Sequence, residues 1–456
     1  MTITTINPAT EEVIKKYSHM SQGEVMAILD DVHKTFLEWK TLLVQQRASY
    51  LTKLARVLRN NKDPYAQLMT KEMGKPITEA RAEIEKCAWT AEVYAKNGEQ
   101  WLQEEVLESD GKEHRVVCQP LGVIFSIMPW NFPFWQAFRF AIPTLLAGNA
   151  SLLKHASNVT GCALAIEDAF KEAGFPENVF RVVIADHDTV AEIVASNLIA
   201  GVSLTGSTSA GKRIGELAGK NLKKIVLELG GSDPFIVLED ADLDKAAELA
   251  TVGRFLNCGQ SCVAAKRFIV VASVVEDFVQ RFVENVKQKV LGNPAEESTH
   301  LGPLVNKTAV EQIENQVNDA VDKGATILTG GKRGKGKGYF YEPTVLINTT
   351  TDMKVVKEEV FGPVAPIIVV KDEKDAIKVA NATEFGLGGS VWTRDLERGK
   401  RIARQLECGC AFVNSFVKSD PRVPFGGIKE SGIGRELSKY GLREFVNVKA
   451  INVYKS

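Results

Sequence analysis

The sequence predicts an α/β protein with two parallel-sheet domains and a small β arm. Three observations carry this prediction. A central stretch alternates short apolar strands with helices, the first hundred residues have helical periodicity, and an Asp-Gly turn between alternating runs is matched by an alternating segment near residue 450. At 456 residues the chain exceeds what one core holds, because single cores stop growing near about 250–300 residues. Two large units plus an arm are therefore expected.

Gln22 to Lys40, Leu43 to Asn60 and Ile77 to Leu102 place apolar residues three to four apart among Lys, Glu and Arg, which predicts helices. Val106 to Cys118 carries Asp110-Gly111 between two alternating runs, a hairpin signal. From Ala150 the period turns to strand then helix. Strands are expected at Ala150–Lys154, Val179–Ile184, Gly201–Leu204 and Lys224–Leu227, with helices at Ala163–Ala173, Val190–Ser196 and Ala210–Leu217 between them. Such alternation means a parallel sheet with crossover helices, which binds ligands at the carboxyl ends of its strands. A second α/β stretch runs from about Phe235 to Val417, with strands near Phe268–Val271, Ala365–Val370 and Ala411–Asn414. The glycine- and lysine-rich segment from Gly330 to Gly338 reads as a solvated loop. Phe445 to Tyr454 alternates as a strand; it and the hairpin are expected to pair with a neighbouring subunit or with one another.

A hydrophobic content of 45%, a charged content of 25% and a net charge of -1 leave no basic or acidic excess, which argues against nucleic acid or an anionic membrane as partner. No stretch approaches the roughly 18 uninterrupted apolar residues of a membrane helix. The opening residues lack a basic segment followed by an apolar one, so a signal peptide is not expected. Cysteines at 87, 118, 162, 258, 262, 408 and 410 form neither a disulfide framework nor paired zinc ligands. The cytoplasm is the expected compartment, no metal site is expected, and a free reactive thiol becomes worth seeking.

Three residues could carry chemistry. Cys262 lies among small and polar residues in Asn257-Cys-Gly-Gln-Ser-Cys-Val, where an inert cysteine would ordinarily have apolar neighbours. Glu228 ends a strand against paired glycines in Val226-Leu-Glu-Leu-Gly-Gly. Asn131 stands between prolines in Pro129-Trp-Asn-Phe-Pro, a rigid setting that suits an oxyanion-hole donor. Taken singly, each is more ordinarily a core thiol, a strand-end carboxylate or a turn residue. Gly206-Ser-Thr-Ser-Ala-Gly211 follows a strand and opens a helix, so its amides can face a pyrophosphate, though it is not Gly-x-Gly-x-x-Gly.

The order and spacing of these motifs resemble the aldehyde dehydrogenase superfamily over essentially the whole chain. The matching stretches are Asn7-Pro-Ala-Thr, Pro129-Trp-Asn-Phe-Pro, Leu204-Thr-Gly-Ser-Thr, Leu227-Glu-Leu-Gly-Gly, Gly259-Gln-Ser-Cys, Glu358-Glu-Val-Phe-Gly-Pro-Val and the segment Pro424 to Glu436. The resemblance implies a Rossmann-type cofactor domain at 1–98 and 121–229, a catalytic domain at 230–430, and an oligomerisation arm at 99–120 and 431–456 that builds a homodimer or homotetramer. It implies Cys262 as nucleophile, Glu228 as general base, and Asn131 with the Cys262 amide as oxyanion hole. Glu359 would hold the nicotinamide ribose, Phe361 and Trp130 would pack by the cofactor, and Gly206, Ser207 and Gly211 would receive its pyrophosphate. Lys154 would hold the adenosine ribose.

Within the superfamily the chain is most similar to bacterial succinate-semialdehyde dehydrogenases, through Asn131-Phe-Pro-Phe-Trp-Gln-Ala-Phe-Arg-Phe, Leu152-Leu-Lys-His-Ala-Ser-Asn and Val417-Lys-Ser-Asp-Pro-Arg. By that resemblance Arg139 receives the distal carboxylate, with Trp135 and Ser419 as wall and hydroxyl donor of the same pocket. A guanidinium among Phe138, Phe140 and Ile142 is costly unless it meets an anion, either the substrate or a salt-bridge partner. Leu256 stands where animal enzymes of this class carry a second arginine, so glutarate semialdehyde or neutral aldehydes are alternative substrates. Ser157 stands where NAD+-preferring members usually carry Glu, whose charge would repel a 2′-phosphate. NADP+ is therefore favoured over NAD+, unless Ser157 only caps a helix. Cys258 is either an inert residue or a redox partner of Cys262.

Overall fold

The computed structural model describes residues 2–455. Its first sheet has six strands in the order Gly432–Ile433, Lys224–Glu228, Ile199–Thr205, Val123–Met128, Ala150–His155 and Phe180–Val182. The last five run parallel, and the short first one is antiparallel to its neighbour. Helices Thr160–Glu172, His187–Ala195 and Thr208–Lys220 are the crossovers. The strand Val123–Met128 is apolar on both faces because helices cover both sides of a parallel sheet.

The second sheet has seven strands in the order Thr326–Thr329, Thr344–Ile347, Val364–Val370, Ala265–Val271, Asp233–Val237, Gly388–Trp392 and Cys410–Val413. All neighbours are parallel except the first pair. Each sheet has its own core: one gathers apolar residues mostly between 25 and 229, the other between 235 and 406. The strand Ala265–Val271 is buried along its whole length at the centre of the second.

The arm is a three-stranded antiparallel sheet in which Val446–Val453 pairs with Glu113–Pro120, and that strand with Glu105–Leu107. The terminal strand and the hairpin thus pair with one another within the chain. Residues 432–433 join the first sheet, and Leu437 and Leu442 lie in the first core, so the arm strand proper begins at Val446 rather than at 431. An N-terminal hairpin, Thr2–Ile6 with Val13–Ser18, and a helix Lys62–Met73 complete the first hundred residues. Among the described residues no helix is long and apolar enough to cross a membrane.

What positions the site is the carboxyl edge of the first sheet. The strands ending at Met128, Thr205 and Glu228 deliver Pro129–Asn131, Gly206–Ser207 and Leu229–Gly230 to one cleft, against which the second domain sets the cysteine loop.

Candidate active site

The cysteine loop turns through three consecutive left-handed residues, Asn257, Cys258 and Gly259, with φ of 53°, 57° and 74°. Two non-glycine residues in that region are costly and persist only where contacts hold them. Here the Asn257 amide donates to Glu79 Oε2 at 2.8 Å, and its side chain donates to the carbonyls of Asn131 and Gln260 at 2.8 and 3.1 Å. Cys258 is buried, with its sulfur donating to the Gly302 carbonyl at 3.3 Å and accepting from the Gly302 amide at 3.1 Å. Burial pushes this thiol up, and it is not bonded to Cys262. Its place is structural.

Cys262 follows, partly exposed. Lys266, buried in the strand behind, donates to the Cys262 carbonyl at 2.8 Å, to the Gly231 carbonyl at 2.7 Å and to Glu359 Oε1 at 2.8 Å. One ammonium thereby ties the thiol loop, the glycine pair and Glu359 together. Burial pushes the Cys262 thiol up to about 11, partly offset by the charges of Lys266 and Arg139. A thiol so placed needs a proton acceptor before it can attack.

Glu228 lies beneath, 2% exposed, with neither carboxyl oxygen hydrogen-bonded among the described residues. Gly426 makes its room: a Cβ there would sit 2.7 Å from Glu228 Oε1. Burial, and then the charge of Glu436, push its carboxyl well above the ordinary range, with Arg139 and Arg435 pulling the other way. A carboxyl raised in this way suits the role of a base toward a water beside it. Asn131 is buried and donates one amide hydrogen to the Gln260 carbonyl at 3.1 Å.

Cys262 lines two cavities, as does Gln136. The larger, about 470 Å³, is walled by Trp130, Asn131, Gly206, Ser207, Glu359 and Phe361. Trp130 and Phe361 meet edge to face, ring centres 5.8 Å apart. Gly230 stands at its lip, where a Cβ would strike Glu359 Oε2 at 2.6 Å. Ser207 caps the helix Thr208–Lys220 by accepting from the Ala210 amide at 3.3 Å, and Gly206 gives its own amide to the Glu228 carbonyl at 3.0 Å. The amides of Ser207 and Thr208, for which no acceptor is found among the described residues, are therefore the ones a phosphate could use, in place of that of Gly206. Gly211 is buried one turn into that helix against Leu229, off the cavity wall.

A neighbouring cavity of about 270 Å³ is walled by Lys154, Ser157, His19, Asp186 and His187. Burial lowers the Lys154 ammonium, which makes no ion pair or hydrogen bond among the described residues. The Ser157 hydroxyl caps nothing: Ala156 is the N-cap of the short helical turn Ser157–Val159, and Val159 that of the next helix. A half-buried cation and an unbonded hydroxyl lining one cavity fit a phosphorylated ligand.

The third cavity, about 170 Å³, runs on the other side of Cys262 along Lys86, Trp135, Arg139, Ser419 and Phe425. The sequence asks for an anion beside Arg139 and finds one candidate in the substrate. The structure supplies one from the chain: the guanidinium pairs with Glu436, donates to Thr205 Oγ1 at 3.2 Å and lies 5.0 Å over the Phe425 ring. The sequence reading missed Lys86, Lys266, Glu79 and Glu436. Only Glu436 had a signal, as the last residue of the Pro424 motif.

A thiol shared by a glycine-lined cleft and a smaller pocket, with a carboxyl beneath, is the arrangement of a thiol-dependent oxidation. The profile of the aldehyde dehydrogenase family matches residues 1–451. The chain belongs to that family. It is 46% identical over 451 residues, 99% of each chain, to a probable succinate-semialdehyde dehydrogenase [NADP(+)] of Synechocystis sp.. It is 44% identical over 446 residues, 98% of this chain and 96% of the other, to the succinate semialdehyde dehydrogenase [NAD(P)+] Sad of Escherichia coli. Among solved structures, a succinic semialdehyde dehydrogenase from Streptococcus pyogenes in complex with NADP+ superposes with a TM-score of 0.97 at 37% identity, covering 99% of this chain and 100% of that one. The family's nicotinamide cofactor fits the residues present, in the glycine-lipped cleft and at the unpaired Lys154.

Proposed function

We propose that this chain oxidises succinate semialdehyde to succinate with NADP+ in preference to NAD+. The observation that carries the reading is Cys262, partly exposed where the cofactor-side cleft and the substrate-side pocket meet. The substrate and cofactor follow the relatives named above, and the free Ser157 hydroxyl beside Lys154 supports the 2′-phosphate.

When bound, a nicotinamide cofactor supplies the hydride acceptor. Trp130, Glu359 and Phe361 would hold its nicotinamide half, Ser207 and the helix it caps its pyrophosphate, and Lys154 with Ser157 its adenosine. Glu359 commits one oxygen to Lys266 and the Gly231 amide, which leaves Oε2 for a ribose hydroxyl. The proton of Cys262 passes to solvent through the open cleft, and the thiolate so formed attacks the aldehyde carbon to give a hemithioacetal alkoxide. Asn131 and the Cys262 amide stabilise that charge, each such donor contributing about 2.7–4 kcal/mol. Loss of hydride leaves a thioester on Cys262. Glu228 takes a proton from the water that cleaves it, releasing the acid and the thiol.

Assembly as a homodimer or homotetramer through the arm is part of this reading, supported by the exposed apolar side chains of Val106, Leu107, Val448, Ile451 and Val453. A cytoplasmic setting is supported by seven unpaired cysteines. The test is an aldehyde panel with each cofactor, followed by absorbance of the reduced nicotinamide. Succinate semialdehyde with NADP+ should show the highest kcat/KM; a clear preference for a neutral aldehyde or for NAD+ would overturn the corresponding half of the proposal.

A further inference from the structure

The helix Leu243–Phe255 ends beside the cysteine loop, and Arg254 stands in its last turn. A cation there answers the negative end of a helix, and for that duty it would ordinarily face solvent. Arg254 is instead fully buried, with no carboxylate paired to it among the described residues. Its fork donates to four carbonyls: Nη1 to that of Ala265 at 3.2 Å, and Nη2 to those of Gly259 at 2.9 Å, Val360 at 3.3 Å and Gly362. Gly259 belongs to the loop of Cys262. Val360 and Gly362 flank Phe361 and follow Glu359, 106 and 108 residues further along the chain from Arg254.

The two loops touch at this point. Gly259 has a φ of 74°, and a Cβ on it would sit 2.3 Å from the Gly362 carbonyl oxygen, so only glycine fits. Burying a guanidinium without a counter-charge is costly, and this one is held because backbone acceptors take its donors. Those acceptors lie on separate stretches of chain, so the rigid fork fixes the stretches relative to one another. Lys266 ties the side chain of Glu359 to the thiol loop, and Arg254 ties the backbone that follows it.

Hydride transfer requires the reacting atoms to approach within about 3–3.5 Å. The carbon bound to Cys262 is placed by one loop and the hydride acceptor by the other. We propose that Arg254 is a positioning residue for this step: by binding Gly259 together with Val360 and Gly362, it sets the distance from the thiol to the nicotinamide seat at Glu359 and Phe361. The inference rests on the roles proposed above for Cys262, Glu359 and Phe361, and adds the part that aligns them. Arg254 lines neither cavity beside Cys262, so its effect reaches the reaction only through the two loops.

Arg254→Met removes the fork and keeps an apolar stem; Arg254→Lys keeps the charge without the fork. Three measurements are compared with wild type: pre-steady-state reduction of NADP+ by succinate semialdehyde and by its aldehyde-deuterated form, hydrolysis of p-nitrophenyl acetate without cofactor, and quenching of tryptophan fluorescence by NADP+. Misplacement by about 1 Å costs about 10²-fold, so the hydride step in Arg254→Met should slow about 10- to 100-fold, and a deuterium isotope effect should appear on kcat. Ester hydrolysis acylates the same thiol and needs no hydride transfer, and NADP+ is held in large part at its adenosine end. Both readouts should stay near wild type. Arg254→Lys should fall between, and it carries the test where Arg254→Met does not fold. Equal losses in ester hydrolysis and hydride transfer would mean that Arg254 only holds the thiol loop, and unchanged hydride transfer in a folded variant would mean that the loops keep their spacing without it. Either result overturns the proposal and leaves the function standing. A wild type that reduces neither NADP+ nor NAD+ with any aldehyde removes the functional reading itself.

Discussion

The two sides of Cys262 are built by different means. On the cofactor side much of the wall comes from turns at the ends of three parallel strands, with glycines, a helix N-terminus, two aromatic edges and the carboxylates of Glu358 and Glu359. On the other side it is side chains, aromatic and charged together, mainly from the helices Ile77–Trp101 and Pro133–Leu146 and the segment Phe416–Ser419. The first side follows from the sheet, because any parallel sheet presents such turns at its carboxyl edge. The second depends on which residues stand on helix faces, and another sequence with the same fold could fill those positions otherwise. The chemistry lies at the seam.

Removing the residue common to both sides should have the largest effect. Cys262→Ala is expected to abolish hydride transfer with every aldehyde, as read by reduced-cofactor absorbance, and near-native turnover in that variant would end its assignment as nucleophile. Glu228 belongs to the second half-reaction. Glu228→Gln should release about one equivalent of reduced cofactor per site in a burst and then turn over about 10²- to 10⁴-fold more slowly. A variant lacking the burst would place Glu228 in the first half-reaction instead.

Arg139 sharpens the contrast between a residue of the seam and one of the pocket wall. Arg139→Met leaves Glu436 buried and unpaired beside Glu228, an outcome that costs about 3–5 kcal/mol when a buried ion pair is broken. Thermal unfolding should show that loss, and kcat/KM should drop further on succinate semialdehyde than on butyraldehyde. Equal losses on both would make Arg139 structural alone. The smallest change is expected on the cofactor side: Ser157→Glu should raise KM for NADP+ by at least about tenfold, or about 1.4 kcal/mol, and affect NAD+ far less. An unaltered cofactor ratio would mean that residues other than Ser157 choose the nucleotide.

The same contrast explains what could be read before the structure. Cofactor-side residues sit in short contiguous stretches where glycine and proline mark a backbone that must take one path, and these stretches identify themselves. Lys86 and Ser419 meet across 333 residues of chain, and a lysine on an amphipathic helix looks like any solvated lysine until Trp135 is packed beneath it. Lys266 was hidden in the opposite way, as a cation inside the wholly buried strand Ala265–Val271 whose purpose shows only in the three groups it binds. The N-terminal hairpin escaped because its strands are rich in Thr and Lys rather than alternating cleanly. Helix Lys62–Met73 escaped because Pro64 reads as a breaker, although it lies in the first turn where its missing amide is not needed.

The helix Ile77–Trp101 carries its pocket-facing residues on one stripe, two of which, Glu79 and Glu83, brace the cysteine loop and the start of the helix at Pro133. Ala82 and Lys86, one turn apart, brace neither. An engineer could therefore vary these two positions together in a small library, sampling other aldehydes while the loops that perform the oxidation stay as they are.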